Sequence, residues 1–88
     1  AACIRVEDDL VFVYSRGLKY HIETPLKKLE ERLDLAVFLR IHRATLVNKN
    51  HIKRIFPGGG RFAVETSDHL ILPGSRDHLP SFKATIGF

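Results

Sequence analysis

A chain of 88 residues with 44% hydrophobic and 27% charged content has room for one folded domain, and it carries too much apolar side chain to stay disordered. No apolar run approaches the roughly 18 residues of a membrane span, and the lone Cys3 excludes an internal disulfide framework and a multi-cysteine zinc site, so a reducing, cytoplasmic setting is expected. Fourteen basic residues against ten acidic ones, a formal charge of +4, favour an anionic partner without naming it.

Ile4-Arg5-Val6 reads as a first strand that reaches a hairpin through Glu7-Asp8-Asp9. Residues 11–14 and 18–22 are rich in β-branched and aromatic side chains, and Ser15-Arg16-Gly17 between them supplies a glycine for a tight turn. The hydrophobic period then lengthens. Leu26, Leu29 and Leu33 recur at helical spacing behind Thr24 as N-cap and Pro25 at the first helical position, which predicts an amphipathic helix over residues 25–33. β character returns at residues 37–41, at a turn or short strand over 44–47, and at 51–56. Pro57-Gly58-Gly59-Gly60 predicts a loop, because glycines weaken a strand interior. Residues 61–66 and 69–72 pair across Ser67-Asp68, and Pro73-Gly74 ends that strand. Asp77 caps a final helical segment with Pro80 near its start and Leu79, Phe82 and Ile86 on one stripe.

The fold class this order implies is mainly β, with a minor α+β character. Six or seven short antiparallel strands form a sandwich or meander with one or two short helices, too short and too far apart for a helix-turn-helix.

Chemistry-bearing residues are few. Arg40, Arg43, Lys49, Lys53, Arg54 and Arg61 concentrate positive charge mid-chain, and they read either as a solvated face or as a phosphate-binding surface. Arg40 alternates with Leu39 and Ile41 and so points away from the core. His42 either fixes a turn through a ring-to-backbone hydrogen bond or touches a ligand, and Asn48 caps a turn with its amide. His21, His51, His69 and His78 lie on separate elements without ligand spacing, so no metal is expected. Ser75 near His78 has no G-x-S-x-G frame, and the triple glycine lacks the Lys-Ser/Thr and the helix of a phosphate-binding loop. Neither catalysis nor a cofactor is expected.

Phe38-Leu-Arg-Ile-His-Arg-Ala-Thr-Leu-Val-Asn48, followed by Asn50-His51-Ile52, resembles the central signature of LytTR domains. Thr24-Pro-Leu-Lys-Lys-Leu-Glu-Glu-Arg-Leu33 resembles that family's leucine-spaced helix, and Leu72-Pro-Gly-Ser-Arg76 its strand end followed by Ser-Arg. The three matches stand in register over residues 4–86. The resemblance implies a mainly β domain that grips duplex DNA through loops entering successive major grooves. It also implies paired direct repeats as sites, pairing of copies on DNA, and a place at the C-terminus of a bacterial response regulator. The start at Ala1-Ala2 is read accordingly: residues 1–88 are one domain excised from a longer regulator, whose receiver or sensor portion lies outside it.

By the same resemblance, Ser75-Arg76 is the main reading loop, with Arg76 the base reader; a guanidinium places two donors against O6 and N7 of guanine, which lysine cannot do. His42-Arg43-Ala44-Thr45 is the central contact turn, where Arg43 and Thr45 suit phosphate oxygens, with Arg40 and Lys49 as neighbouring basic side chains. The turn holding Asp9 corresponds to a third contact loop. Its carboxylates repel phosphate, so it either accepts from a cytosine amine or stays out of the groove. Two other classes stay open from the residues alone. One is a small β module binding an acidic protein or offering a sheet edge. The other is an RNA-binding sheet using Phe12, Tyr14, Tyr20, Phe38, Phe56 and Phe62, although these are expected to be mostly alternately buried.

Overall fold

Hairpins dominate the computed structural model, which describes residues 1–87. β1 (Cys3–Glu7) turns at Asp8-Asp9 into β2 (Leu10–Ser15), and β2 turns at Arg16-Gly17 into β3 (Leu18–Ile22). Each turn holds two residues at positive φ, 52° and 66° in the first and 54° and 76° in the second, the turn geometry whose twist matches paired strands. α1 (Leu26–Arg32) leads to β4 (Phe38–His42), β5 (Thr45–Asn48) and a 3-10 turn at Lys49–His51. Then come β6 (Ile52–Gly58), β7 (Arg61–Thr66), β8 (Ile71–Gly74), a second 3-10 turn at Arg76–His78, and α2 (Leu79–Ile86).

Every strand pair is antiparallel. One sheet has the order β3-β2-β1-β5-β4 and the other β6-β7-β8. The mainly β, two-sheet expectation therefore holds, with eight strands where the pattern suggested six or seven. The extra one is Thr45–Asn48, which pairs with both β1 and β4 and buries three of its four residues.

Side-chain alternation divides the five-stranded sheet into two faces. Ile4, Val11 and Leu46 point toward α1, where they meet buried Leu26 and half-buried Leu29 and Leu33. Cys3, Leu39, Ile41 and Val47 point the other way, against Phe62, Val64 and Leu72 of the small sheet and Phe82 of α2. Phe62 and Phe82 stack there with ring centroids 4.5 Å apart. Full burial of such side chains stabilises by roughly 1.5–3 kcal/mol each relative to exposure, which is why the leucine stripe of α1 folds down although the helix has only seven residues. Burial also pushes the Cys3 thiol up to about 12, leaving it a neutral core side chain.

Several boundaries depart from the sequence reading. Thr24 does not cap α1: extended Pro25 (φ −59°, ψ 148°) holds the cap position, and its carbonyl accepts from the amides of Lys28 and Leu29 at 3.1 Å each. Asp77 does not cap α2 either, because the 3-10 turn intervenes and His78 takes that position. Pro57 and Gly58 stay in β6, an edge strand where a missing amide is tolerated, so the predicted glycine loop shrinks to Gly59-Gly60. Pro73-Gly74 likewise continues β8, also an edge strand, and His69 lies in the preceding turn at φ 68°. Of the aromatic residues, Tyr20 and Phe56 are exposed, at 50% and 42%.

Candidate nucleic-acid interface

The turns collect at one end of the molecule. The Val6 amide donates to the Ala44 carbonyl at 2.8 Å and Arg5 pairs with Thr45, so the β1–β2 and β4–β5 turns leave the large sheet together. The Ser75 amide donates to the Ile41 carbonyl at 2.8 Å, which docks the 3-10 turn Arg76–His78 beside β4. A Cβ on Gly60 would lie 3.5 Å from Arg76 Nε, so the β6–β7 turn lies against the Arg76 side chain. Gly59 and Gly60 adopt φ of 60° and 75°, a region in which side chains are rare, and the turn is correspondingly slim where Arg76 passes it. Between these elements opens a cleft of about 450 Å³ lined by His42, Arg61, Phe62, Gly74, Ser75 and Arg76 among others.

Two kinds of arginine meet here. Arg40 is consumed by the fold: its Nη1 donates to Glu30 Oε1 of α1 at 2.8 Å, its Nε to the His42 carbonyl at 2.9 Å, and its Nη2 to the Arg43 carbonyl. One guanidinium thus satisfies two carbonyls of the β4–β5 turn and ties them to the helix. Arg40→Ala is expected to cost on the order of 2 kcal/mol, the range of a hydrogen bond to a charged group, because the truncation also strands Glu30. Denaturant unfolding would measure it, and a midpoint equal to the parent's would refute the role. Arg43, Arg61 and Arg76, by contrast, are exposed and have no carboxylate within 4 Å among the described residues.

The other predicted site residues divide in the same way. His42 Nδ1 accepts from the Ala44 amide at 3.1 Å, which fixes the turn that presents Arg43. Burial first, then the cations Arg43, His78, Arg5 and Arg40, holds the His42 pKa below its ordinary 6.5. A depressed histidine contributes stability that is fully present above pH 6.5 and is lost as pH falls from there toward the folded-state value, since the unfolded chain takes up the proton first. In an NMR titration the Ala44 amide shift is expected to follow the His42 ring with a common midpoint below 6.5. An Ala44 amide that does not move with the ring would disprove the coupling.

Ser75 Oγ lies 2.6 Å from His78 Nδ1 and the Ser75 carbonyl accepts from the His78 amide, so this serine holds the reading turn closed. Thr45 is only 2% exposed, which removes it from contact with a phosphate. Lys49 sits at the far end of β5, where its amide donates to the Val37 carbonyl and the neighbouring Asn48 amide to the Ala2 carbonyl. The Asn48 side chain caps that distant turn through the Asn50 amide at 2.9 Å. Asp9 is at the correct end and exposed, while the adjacent Glu7 is occupied by Lys19 Nζ at 2.7 Å and by the Tyr14 hydroxyl. Arg61 was visible in the sequence only as one member of a basic run. Its place directly after a glycine turn was the available signal, and β7 turns it into the cleft beside Arg76.

A mainly β domain that gathers unpaired arginines on separate turns at one end belongs to the class that grips nucleic acid with loops rather than with a groove-filling helix. Residues 2–87 match the family model described as the LytTr DNA-binding domain, and the chain belongs to that family. It is 29% identical over 85 residues to the transcriptional regulatory protein LytR of Staphylococcus aureus strain MW2, covering 96% of this chain and 35% of that protein. It is 32% identical over 69 residues to the sensory transduction protein LytR of Staphylococcus saprophyticus, covering 77% and 27%. The chain thus spans about a third of the relatives it matches. Among solved structures, the LytTr DNA-binding domain of a putative methyl-accepting/DNA response regulator from Bacillus cereus superposes with a TM-score of 0.93 at 27% identity, over 99% of this chain and 81% of that one.

Proposed function

We propose that this DNA-binding domain regulates transcription by reading specific duplex sites with the three turns gathered at its arginine-rich end. The observation that carries this reading is the set of exposed, unpaired guanidiniums, Arg43, Arg61 and Arg76, on separate turns around one cleft. Arg76 reads a base edge, while Arg43 and Arg61 position the phosphate backbone. His42, Ser75 and Arg40 hold the turns that present them; Thr45 and Lys49 take no part. Asp9 sits where a cytosine amine would meet it, provided its turn enters the groove. The domain acts in the cytoplasm as the output part of a response regulator, joined to a receiver or sensor domain, and copies occupy paired direct repeats.

Selecting bound duplexes from a random pool tests the reading and yields the site together. A recovered consensus is expected; a pool that never enriches, or a preference for single-stranded RNA in competition, would defeat it. Arg43→Ala is expected to weaken binding to all sequences alike and to lower the salt slope by about 0.9, one phosphate contact. An unaltered slope would place Arg43 on a merely solvated face.

A further inference from the structure

Of the four strands at the margins of the two sheets, three are obstructed. β4 carries a bulge between Arg40 and His42, and its Ile41 carbonyl is taken by Ser75. β6 carries a bulge between Ile52 and Arg54 as well as Pro57, and β8 carries Pro73. Bulges, prolines and covering segments are the usual devices that keep an edge from pairing. β3 has none of them among the described residues, and four of its five residues are exposed.

The register of that open edge follows from the hairpin. Ser15 and Leu18 flank a two-residue turn, so they form the hydrogen-bonded pair, and Tyr20 and Ile22 follow as hydrogen-bonded partners of Val13 and Val11. The amides and carbonyls of Lys19 and His21 therefore point outward. On one face of the strand stand Leu18, Tyr20 and Ile22, with Leu18 at 56% and Tyr20 at 50% exposure; on the other stand Lys19 and His21.

We infer that β3 is the pairing edge for a second copy of this chain, joined antiparallel about a twofold axis at Tyr20. In that register Lys19 and His21 of each copy exchange backbone hydrogen bonds with His21 and Lys19 of the other. Tyr20 meets Tyr20, and Leu18 meets Ile22, giving an unbroken apolar face. A register centred on Lys19 would instead set two ammonium groups opposite each other. The partner is a second copy because this strand's apolar alternation complements itself. Ile22 lies at the end of β3 near the β1–β2 turn, so the antiparallel pair points its two arginine-rich ends in opposite directions. Such a dimer differs from two copies side by side on one duplex, and both its DNA-reading ends stay free.

Sedimentation equilibrium from micromolar to millimolar chain concentration is expected to show a monomer–dimer equilibrium. His21→Pro removes an outward amide without touching the β2 ladder, and it is expected to give a folded monomer by circular dichroism. Tyr20→Cys is expected to form an intermolecular disulfide on mild oxidation, and Lys19→Cys several-fold less, while Cys3 stays silent because it is fully buried. A monomer at every concentration, a dimer unaffected by His21→Pro, or equal cross-linking of the two cysteine variants would overturn the assignment.

Discussion

Replacing Arg76 by alanine is expected to abolish discrimination between the selected duplex and a scrambled one, while the fold and much of the sequence-independent affinity survive. The side chain is exposed, makes no ion pair among the described residues, and leaves a turn that is closed by Ser75, His78 and the Ile41 carbonyl. Nothing in the core depends on it. If it reads guanine, the loss is roughly 1–3 kcal/mol for the bidentate pair, or about 5- to 150-fold in affinity. Arg76→Lys is expected to lose nearly as much, because one ammonium cannot reproduce two coplanar donors. Titrations of both duplexes at one salt concentration separate the outcomes: equal losses on the two would make Arg76 a phosphate contact, and no loss on either would remove it from the interface.

Gly74→Ala is expected to be the most damaging single change to the fold. A Cβ there would lie 2.2 Å from Phe62 Cζ and 2.4 Å from both Cε atoms, so the ring packs flat against bare backbone. Phe62 cannot swing aside, because it is 4% exposed and stacked on Phe82. Overpacking of this kind typically costs 1–3 kcal/mol, a large fraction of the stability of so small a domain. The strain also falls one residue before Ser75, so DNA affinity is expected to fall with stability. Thermal unfolding checks the first effect; a melting temperature within a degree of the parent's would show that the ring relocates at little cost.

Much of this architecture could be read from side-chain periodicity. The hairpins around Arg16-Gly17 and Arg61–Thr66 and the leucine stripe of α1 follow from local pattern alone, and their strands lie where expected. Pro57-Gly58 and Pro73-Gly74 misled for one shared reason. Proline and glycine are breakers only where a strand has neighbours on both sides, and nothing local announces an edge. Thr45 misled because its neighbours suggested a turn, while its burial is set by pairing with Arg5, forty residues earlier.

The same division applies to the arginines at the proposed site. The sequence by itself determined the family, the mainly β class and the residues able to hold a phosphate or a base, because these depend on residue type and short-range spacing. Only the tertiary structure decided which of those residues are free to act. Arg40 and Arg43 are three positions apart and equally cationic, yet one is spent on Glu30 and two turn carbonyls while the other is exposed. Arg61 and Arg76 are fifteen positions apart and line one cleft. A charge's availability depends on what the rest of the chain places within about 4 Å of it, and that distance is set by packing, not by spacing.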